Sequence, residues 1–240
     1  MSGHSKWATT HRQKAAADAK KGATFTKLAN AITVAARESG GDPESNFKLR
    51  LAIDKARTAN MPKDNIERAI SKGTGAGKDG ANFEEVIYEI IGPAGTGFIV
   101  EAVTDNRNRT AAELKSILNK YGGTLGSTNS VAWNFQRRGV ILVTATNLTE
   151  DDELKLIDAG AEEIQKNEAG WQIITSPENL MAVAAKIKVL NFPIKETSLV
   201  FISREEIEVT DPQIQEQIER LYNLITDLDD VNSVYTNANW

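Results

Sequence analysis

The amino-acid sequence predicts an α+β multidomain protein: an N-terminal helical bundle followed by two α+β (ferredoxin-like) units, the last inserted in the one before it. Three observations lead there. Apolar residues recur at helical spacing through the first 78 of the 240 residues. A glycine-rich stretch, Gly73-Thr-Gly-Ala-Gly-Lys-Asp-Gly80, then reads as a linker. Beyond it, strand-like and helix-like runs alternate to the end of the chain.

In the first segment, Phe25, Leu28, Ala29, Ile32, Ala35 and Ala36 share one helical face, and Gly40-Gly41 supplies the stop. Asp42-Pro43-Glu44 reads as the next helix start, with Asp42 as N-cap, and that helix turns Phe47, Leu51, Ala52 and Ala56 inward. A third helix starts near Pro62-Lys63-Asp64, packs Ile66, Ala69 and Ile70, and ends at Gly73. A Lys-rich, weakly amphipathic run from Arg12 to Lys21 precedes the bundle.

After the linker, strand patterns fall at Glu85 to Ile91, Gly97 to Val103, Ser130 to Phe135, Val140 to Ala145, Trp171 to Thr175, Leu199 to Ser203, Ile207 to Val209 and Val234 to Thr236. Helical patterns fall at Thr110 to Tyr121, Asp151 to Gln165, Pro177 to Leu190 and Pro212 to Leu228. The half-domain up to Phe135 is completed by the strand, helix and strand of the tail, while Gly139 to Ser203 reads as an α+β unit of its own. The expected domains are therefore 1–78, 79–136 with 205–240, and an inserted 137–204.

Charge divides the chain at the linker. Residues 1–78 hold 15 Lys and Arg against 7 Asp and Glu, a net of +8, and the rest holds 13 against 26, a net of −13. A basic front of domain size has the charge to neutralise phosphates, and the acidic back would be repelled by them. A nucleic-acid contact is expected at the N-terminal end. The apolar runs are strand-length, far below the ~20 residues of a membrane helix. The N-terminus lacks the apolar core of a signal peptide, so a cytoplasmic protein without membrane contact is expected. The chain contains no Cys, hence no disulfide and no thiolate metal site or nucleophile.

Catalytic motifs are missing where chemistry would need them. A Walker A loop requires Gly five positions before the Gly77-Lys78 pair and Ser or Thr after it, but those positions hold Lys72 and Asp79. The dinucleotide fingerprint fails as well, since the glycines follow a helix rather than a strand. His4 and His11 are the only imidazoles and have no nearby acid to complete a metal site or a triad. Asp151-Asp152-Glu153 suits a helix N-terminus, and Glu205-Glu206 and Asp227 to Asp230 suit solvated edges. No enzyme, cofactor or metal is expected.

The candidate contacts are of another kind. His4, Ser5, Lys6 and Trp7, followed by His11, Arg12, Lys14, Lys20, Lys21 and Lys27, mix cations and hydroxyls with one flat aromatic. Such a mixture suits phosphate contacts and base stacking. Trp7 fits equally an anchor of the arm on its own domain. In the bundle Lys48, Arg50, Lys55, Arg57, Lys63, Arg68 and Lys72 extend the positive surface, although Arg50 with Asp54 and Asp64 with Arg68 also have helix-pair spacing. Within the acidic half, Asp105-Asn-Arg-Asn-Arg-Thr110 enters a helix for which Thr110 and Glu113 form a capping box. Arg107 and Arg109 in that turn fit either a phosphate or carboxylate contact, or simple solvation.

These residues also carry a family resemblance. Gly3-His-Ser-Lys-Trp7, Phe25-Thr-Lys27, Gly40-Gly-Asp-Pro43, Leu49-Arg50, Met61-Pro-Lys-Asp64, Ile66-Glu-Arg-Ala-Ile70, Thr104-Asp-Asn-Arg-Asn-Arg-Thr110 and Gly122-Gly-Thr-Leu-Gly126 together resemble the YebC/PmpR family, over essentially the whole chain. The resemblance implies a helical domain and two α+β domains, the third inserted in the second. It also implies a cytoplasmic, DNA-binding regulator of transcription, or, as relatives are described, a translational activator acting on RNA at the ribosome. Two positions depart from the family pattern. Ile90-Ile91 precede Gly92-Pro93 where Gly-Tyr is usual, and Asn129 stands where Gly usually precedes Ser-Val.

Overall fold

The computed structural model describes residues 21–75, 83–145, 147–167 and 169–239. They fall into two compact units: 134–204, and the residues on either side of that stretch. The chain is α+β, as expected.

In the flanking unit, helices α1 (Lys21–Ser39), α2 (Phe47–Thr58) and α3 (Lys63–Gly73) close around Leu28, Ile32, Leu49, Ile53, Met61 and Ile66. The inward face of α2 is Leu49, Ile53 and Ala56, so the apolar stripe runs one step round from the expected Phe47 and Leu51. The expected Asp42 cap is also corrected. Asn46 is the N-cap, its Oδ1 accepting from Leu49 N at 3.0 Å, while Asp42 holds a preceding turn through Glu44 N and Ser45 Oγ. The same Asn46 side chain donates to Ala35 O and Gly40 O, both at 2.7 Å. One buried amide therefore satisfies carbonyls at the end of α1 and an amide at the start of α2.

Strands β1 (Glu84–Ile91), β2 (Gly97–Thr104), β3 (Thr124–Leu125) and β9 (Val231–Thr236) form an antiparallel sheet in the order β3-β1-β2-β9. Helices α4 (Arg107–Tyr121) and α7 (Pro212–Asp227) bury one face over Phe98, Val100, Leu114, Leu118, Ile218, Leu221 and Ile225. On the opposite face Ile99 and its cross-strand partner Tyr235 are buried where α1 lies against β2 and β9. The bundle is thus continuous with the sheet. A short parallel pair, β8 (Ile207–Glu208) with β10 (Ala238–Asn239), finishes this unit.

The 134–204 unit runs β4 (Phe135–Val143), α5 (Glu150–Ala159), β5 (Glu163–Asn167), β6 (Gly170–Thr175), α6 (Leu180–Val189) and β7 (Ile194–Ser203). Its antiparallel sheet has the order β5-β6-β4-β7, with Ile141, Ile173, Leu156, Leu180 and Ile187 fully buried. The expected helix to Gln165 stops at Ala159, because Gly160 takes φ +113 and closes it. The residues beyond are β5, an edge strand with one aliphatic side chain and too little alternation to announce itself. Of the expected strand from Ser130 to Phe135 only Phe135 is extended, as the first residue of β4, while Ser130 to Asn134 form a turn with a 3₁₀ segment at Ala132–Asn134.

Candidate nucleic-acid interface

The basic residues of the bundle divide by what holds them. Lys27 is drawn inward, its Nζ donating to Thr226 O at 2.9 Å in the last turn of α7, where helix carbonyls attract a cation. Arg50 ties down the loop before its own helix, through Pro43 O and Glu44 O at 2.9 Å and the Glu44 carboxylate at 3.2 Å. The expected Arg50–Asp54 pair is therefore not the one made, because Asp54 meets Arg57 instead. The expected Asp64–Arg68 pair is replaced too: Arg68 donates to the backbone carbonyl of Asp64 and to the side chain of Asn65. Lys48 bridges Glu38 and Glu85, and Lys72 stands 5.4 Å over the Phe83 ring.

Lys55, Arg57 and Lys63 remain outward. Arg57 and Lys63 make only exposed one-turn pairs with Asp54 and Glu67, which cost little to exchange for a phosphate. The three surround the corner between α2 and α3, which Asn60 turns at φ +60. Asn tolerates this left-handed conformation better than other side chains bearing a Cβ.

His4, Ser5, Lys6, Trp7, His11, Arg12, Lys14 and Lys20 lie outside the described residues. Lys21 opens α1.

Arg107 and Arg109 sit in the first turn of α4, not in a loop before it. Asn106 is the N-cap, its Oδ1 accepting from Asn108 N and Arg109 N at 3.1 Å, so the expected Thr110–Glu113 capping box is corrected. Thr110 is buried and used elsewhere. Its hydroxyl donates to Asp230 Oδ2 at 2.6 Å, Thr104 Oγ1 bonds the same oxygen at 3.0 Å, and Arg109 reaches both Asp230 oxygens at 2.9 and 3.0 Å. Burial alone would raise the Asp230 carboxyl, but the bonds from Thr110, Arg109 and Thr104 outweigh it and hold the group below the usual carboxylate range. Asp230 is thus no solvated edge residue. Arg109 also meets Asp105 at 2.9 Å, and Arg107 meets Glu84 at 2.5 and 2.6 Å. Tyr88 Oη donates to Arg107 O at 3.1 Å. The Thr104 to Thr110 motif therefore docks α4 onto β1 and the start of β9, a role its sequence spacing does not reveal because Asp230 lies 121 residues beyond Arg109.

A second carboxylate that sequence reasoning missed is Glu89, on β1. It is only 8% exposed and accepts from Asn129 N at 2.5 Å and from Val131 N and Ala132 N at 2.8 Å. Burial would raise it, and these backbone bonds bring it below its ordinary value. Asn129 itself is at φ +65, a left-handed conformation that Asn tolerates better than most side chains bearing a Cβ.

Asp151, Asp152 and Glu153 sit in the first turn of α5, where Thr149 and Asp152 form a capping box. No group of three His, Cys, Asp or Glu side chains that could hold a metal occurs among the described residues. No helix among them is long and apolar enough to cross a membrane.

Comparison with known proteins places this arrangement. Residues 5–76 match the model of the TACO1/YebC protein N-terminal domain, and residues 83–238 match that of the TACO1/YebC second and third domain. A probable transcriptional regulatory protein of Thermoanaerobacter pseudethanolicus is 46% identical over 240 residues, covering 99% of this chain and 97% of the relative. One of Thermotoga petrophila is 47% identical over 239 residues, covering 99% and 93%. The crystal structure of a conserved hypothetical protein of Aquifex aeolicus superposes with a TM-score of 0.85 at 41% identity, covering 94% of this chain and 93% of that one. With matches over both of its halves and relatives of its own length, this chain belongs to the TACO1/YebC family.

Proposed function

We propose that this protein is a non-enzymatic nucleic-acid-binding regulator of the cytoplasm, acting through its basic N-terminal segment, with control of transcription on DNA as its leading form. The observation that carries the reading is the charge division, +8 over residues 1–78 against −13 over the remainder. Lys55, Arg57 and Lys63 stand outward on the basic side, and several other cations of the bundle are already committed to internal contacts. The name probable transcriptional regulatory protein, borne by relatives of similar length, supports the same reading.

A second reading, a translation factor that contacts RNA at the ribosome, is favoured by one feature of α3. Its exposed positions include Asp64 and Glu67 between Lys63 and Arg68, an acid-interrupted row that would sit poorly in a major groove. Crosslinking in cells followed by sequencing of both DNA and RNA separates the two. Promoter-proximal DNA is the expected product, ribosomal RNA in its place would transfer the assignment to translation, and enrichment of neither would refute both.

The non-enzyme part of the proposal is tested by incubating the purified chain with ATP, GTP or nucleic acid and magnesium. No turnover is expected, and robust hydrolysis lost in His4→Ala or His11→Ala would contradict it.

A further inference from the structure

We propose that Trp133 is a stacking platform for an unpaired nucleobase, a second contact with nucleic acid that Glu89 holds in position. The proposal rests on the nucleic-acid reading above and deepens it by naming a site outside the basic segment.

Trp133 is 58% exposed, and its Nε1–H is already spent on Ser130 O, 3.2 Å away within the same turn. What faces outward is ring surface, which suits stacking. The backbone beneath it is fixed from below. Glu89 accepts from the amides of Asn129, Val131 and Ala132, and its own carbonyl accepts from Gly126 N at 2.8 Å. Gly126 is required for this closeness, since a Cβ there would collide with Ser130 Oγ. Burying a carboxylate is costly unless its oxygens are satisfied, and here the groups satisfying it all belong to the turn that carries the aromatic.

The surroundings point to the occupant. Ser127, Thr128 and Asn129 are exposed beside the turn and offer neutral donors and acceptors of the kind that read base edges. From Leu114 to Trp133 the chain contains no Asp or Glu, yet it contains Lys115 and Lys120. This stretch interrupts a region whose net charge is −13, so a phosphate-bearing strand meets least repulsion along it. Duplex bases are stacked and closed to such a ring, which makes an unpaired base the partner that fits.

The test uses the full-length chain, a fluorescein-labelled oligoadenylate single strand and a blunt RNA duplex of equal length, with melting temperature measured on every variant. Trp133→Ala is expected to weaken single-strand binding at least about tenfold, with duplex affinity held within about twofold. Trp133→Phe should keep most of the single-strand affinity. Glu89→Gln, acting only through the turn, should give a partial loss on the single strand alone. Unchanged single-strand affinity in Trp133→Ala would overturn the proposal and leave the exposed indole, with exposed Ile87 and Ile91 on the Glu89 face of β1, to a protein partner. Parallel losses on both nucleic acids would also overturn it. If the unsubstituted chain bound neither, the underlying nucleic-acid reading would fail, an outcome distinct from failure of the Trp133 site alone.

Discussion

Asp230 and Arg107 show how differently two charged residues of one cluster act. Asp230 is buried under two hydroxyls and a guanidinium, so Asp230→Ala removes the acceptor shared by Thr104, Thr110 and Arg109 and should cost about 2–3 kcal/mol, read by chemical denaturation. Arg107, bonded to Glu84 in the open, should leave the denaturation midpoint nearly unchanged when replaced by Ala. The same chemistry sets an acid dependence. Asp230 and Glu89 both have carboxyl pKa values depressed by folding, so the unfolded chain takes up their protons more readily. Their stabilisation is complete above the ordinary carboxylate range, about pH 4, and is lost as pH falls through the lower folded-state values. Asp230→Asn and Glu89→Gln should each lower stability at neutral pH and flatten its decline on acidification. An unaltered acid limb in both would remove these residues from the account. Sequence alone marked Arg107 and Arg109 as unusual in an acidic half but could not supply their partners. A glutamate or aspartate that the chain brings back from a distant strand leaves no local signal, and Asp230 reads by composition as one more acid in a solvated run.

At the scale of elements, the joints are more informative than the helices and strands they connect. Asn46 serves two helix ends at once, so Asn46→Ala should cost about 2–3 kcal/mol. Asn46→Asp keeps the acceptor for Leu49 N but turns an acceptor towards the carbonyls of Ala35 and Gly40, and should be no less damaging. Equal stability of Asn46→Asp and the unsubstituted chain would mean the two donor bonds contribute nothing. Gly73 marks the close approach of α3 to α1. A Cβ there would clash with Thr33 O and lie 2.7 Å from Ala36 Cβ, so Gly73→Ala should destabilise by about 1–3 kcal/mol through forced separation of the helices. The apolar faces of α1 and α3 were legible because their periodicity is complete. What was lost were boundaries: Asp42 and Thr110 both looked like caps, but in each case the neighbouring Asn side chain had the better geometry. Gly160 is a readable stop, and it ends α5 even though helix-forming residues follow it.

At the scale of the whole molecule, charge is the property that sequence gives most directly and the fold then redistributes. The division at the linker was plain in the composition, as was the α+β order after it. Which cations remain outward was not: Lys27 and Arg50 look no different in sequence from Lys55 and Arg57, yet they secure α7 and the α1–α2 loop. The central claim, that the basic N-terminal segment binds nucleic acid by neutralising phosphates, is tested most directly by salt dependence. Binding of the full-length chain to duplex and single-stranded probes would be titrated against salt, beside a variant carrying Lys6, Arg12, Lys14, Lys20, Lys55 and Arg57 as Gln. With roughly six phosphates neutralised, log K should fall against log salt with a slope of about −5 on duplex and about −4 on single strands, and the variant's slope should approach zero. An undiminished slope in a folded variant would contradict the claim and place the phosphate contacts elsewhere on the molecule.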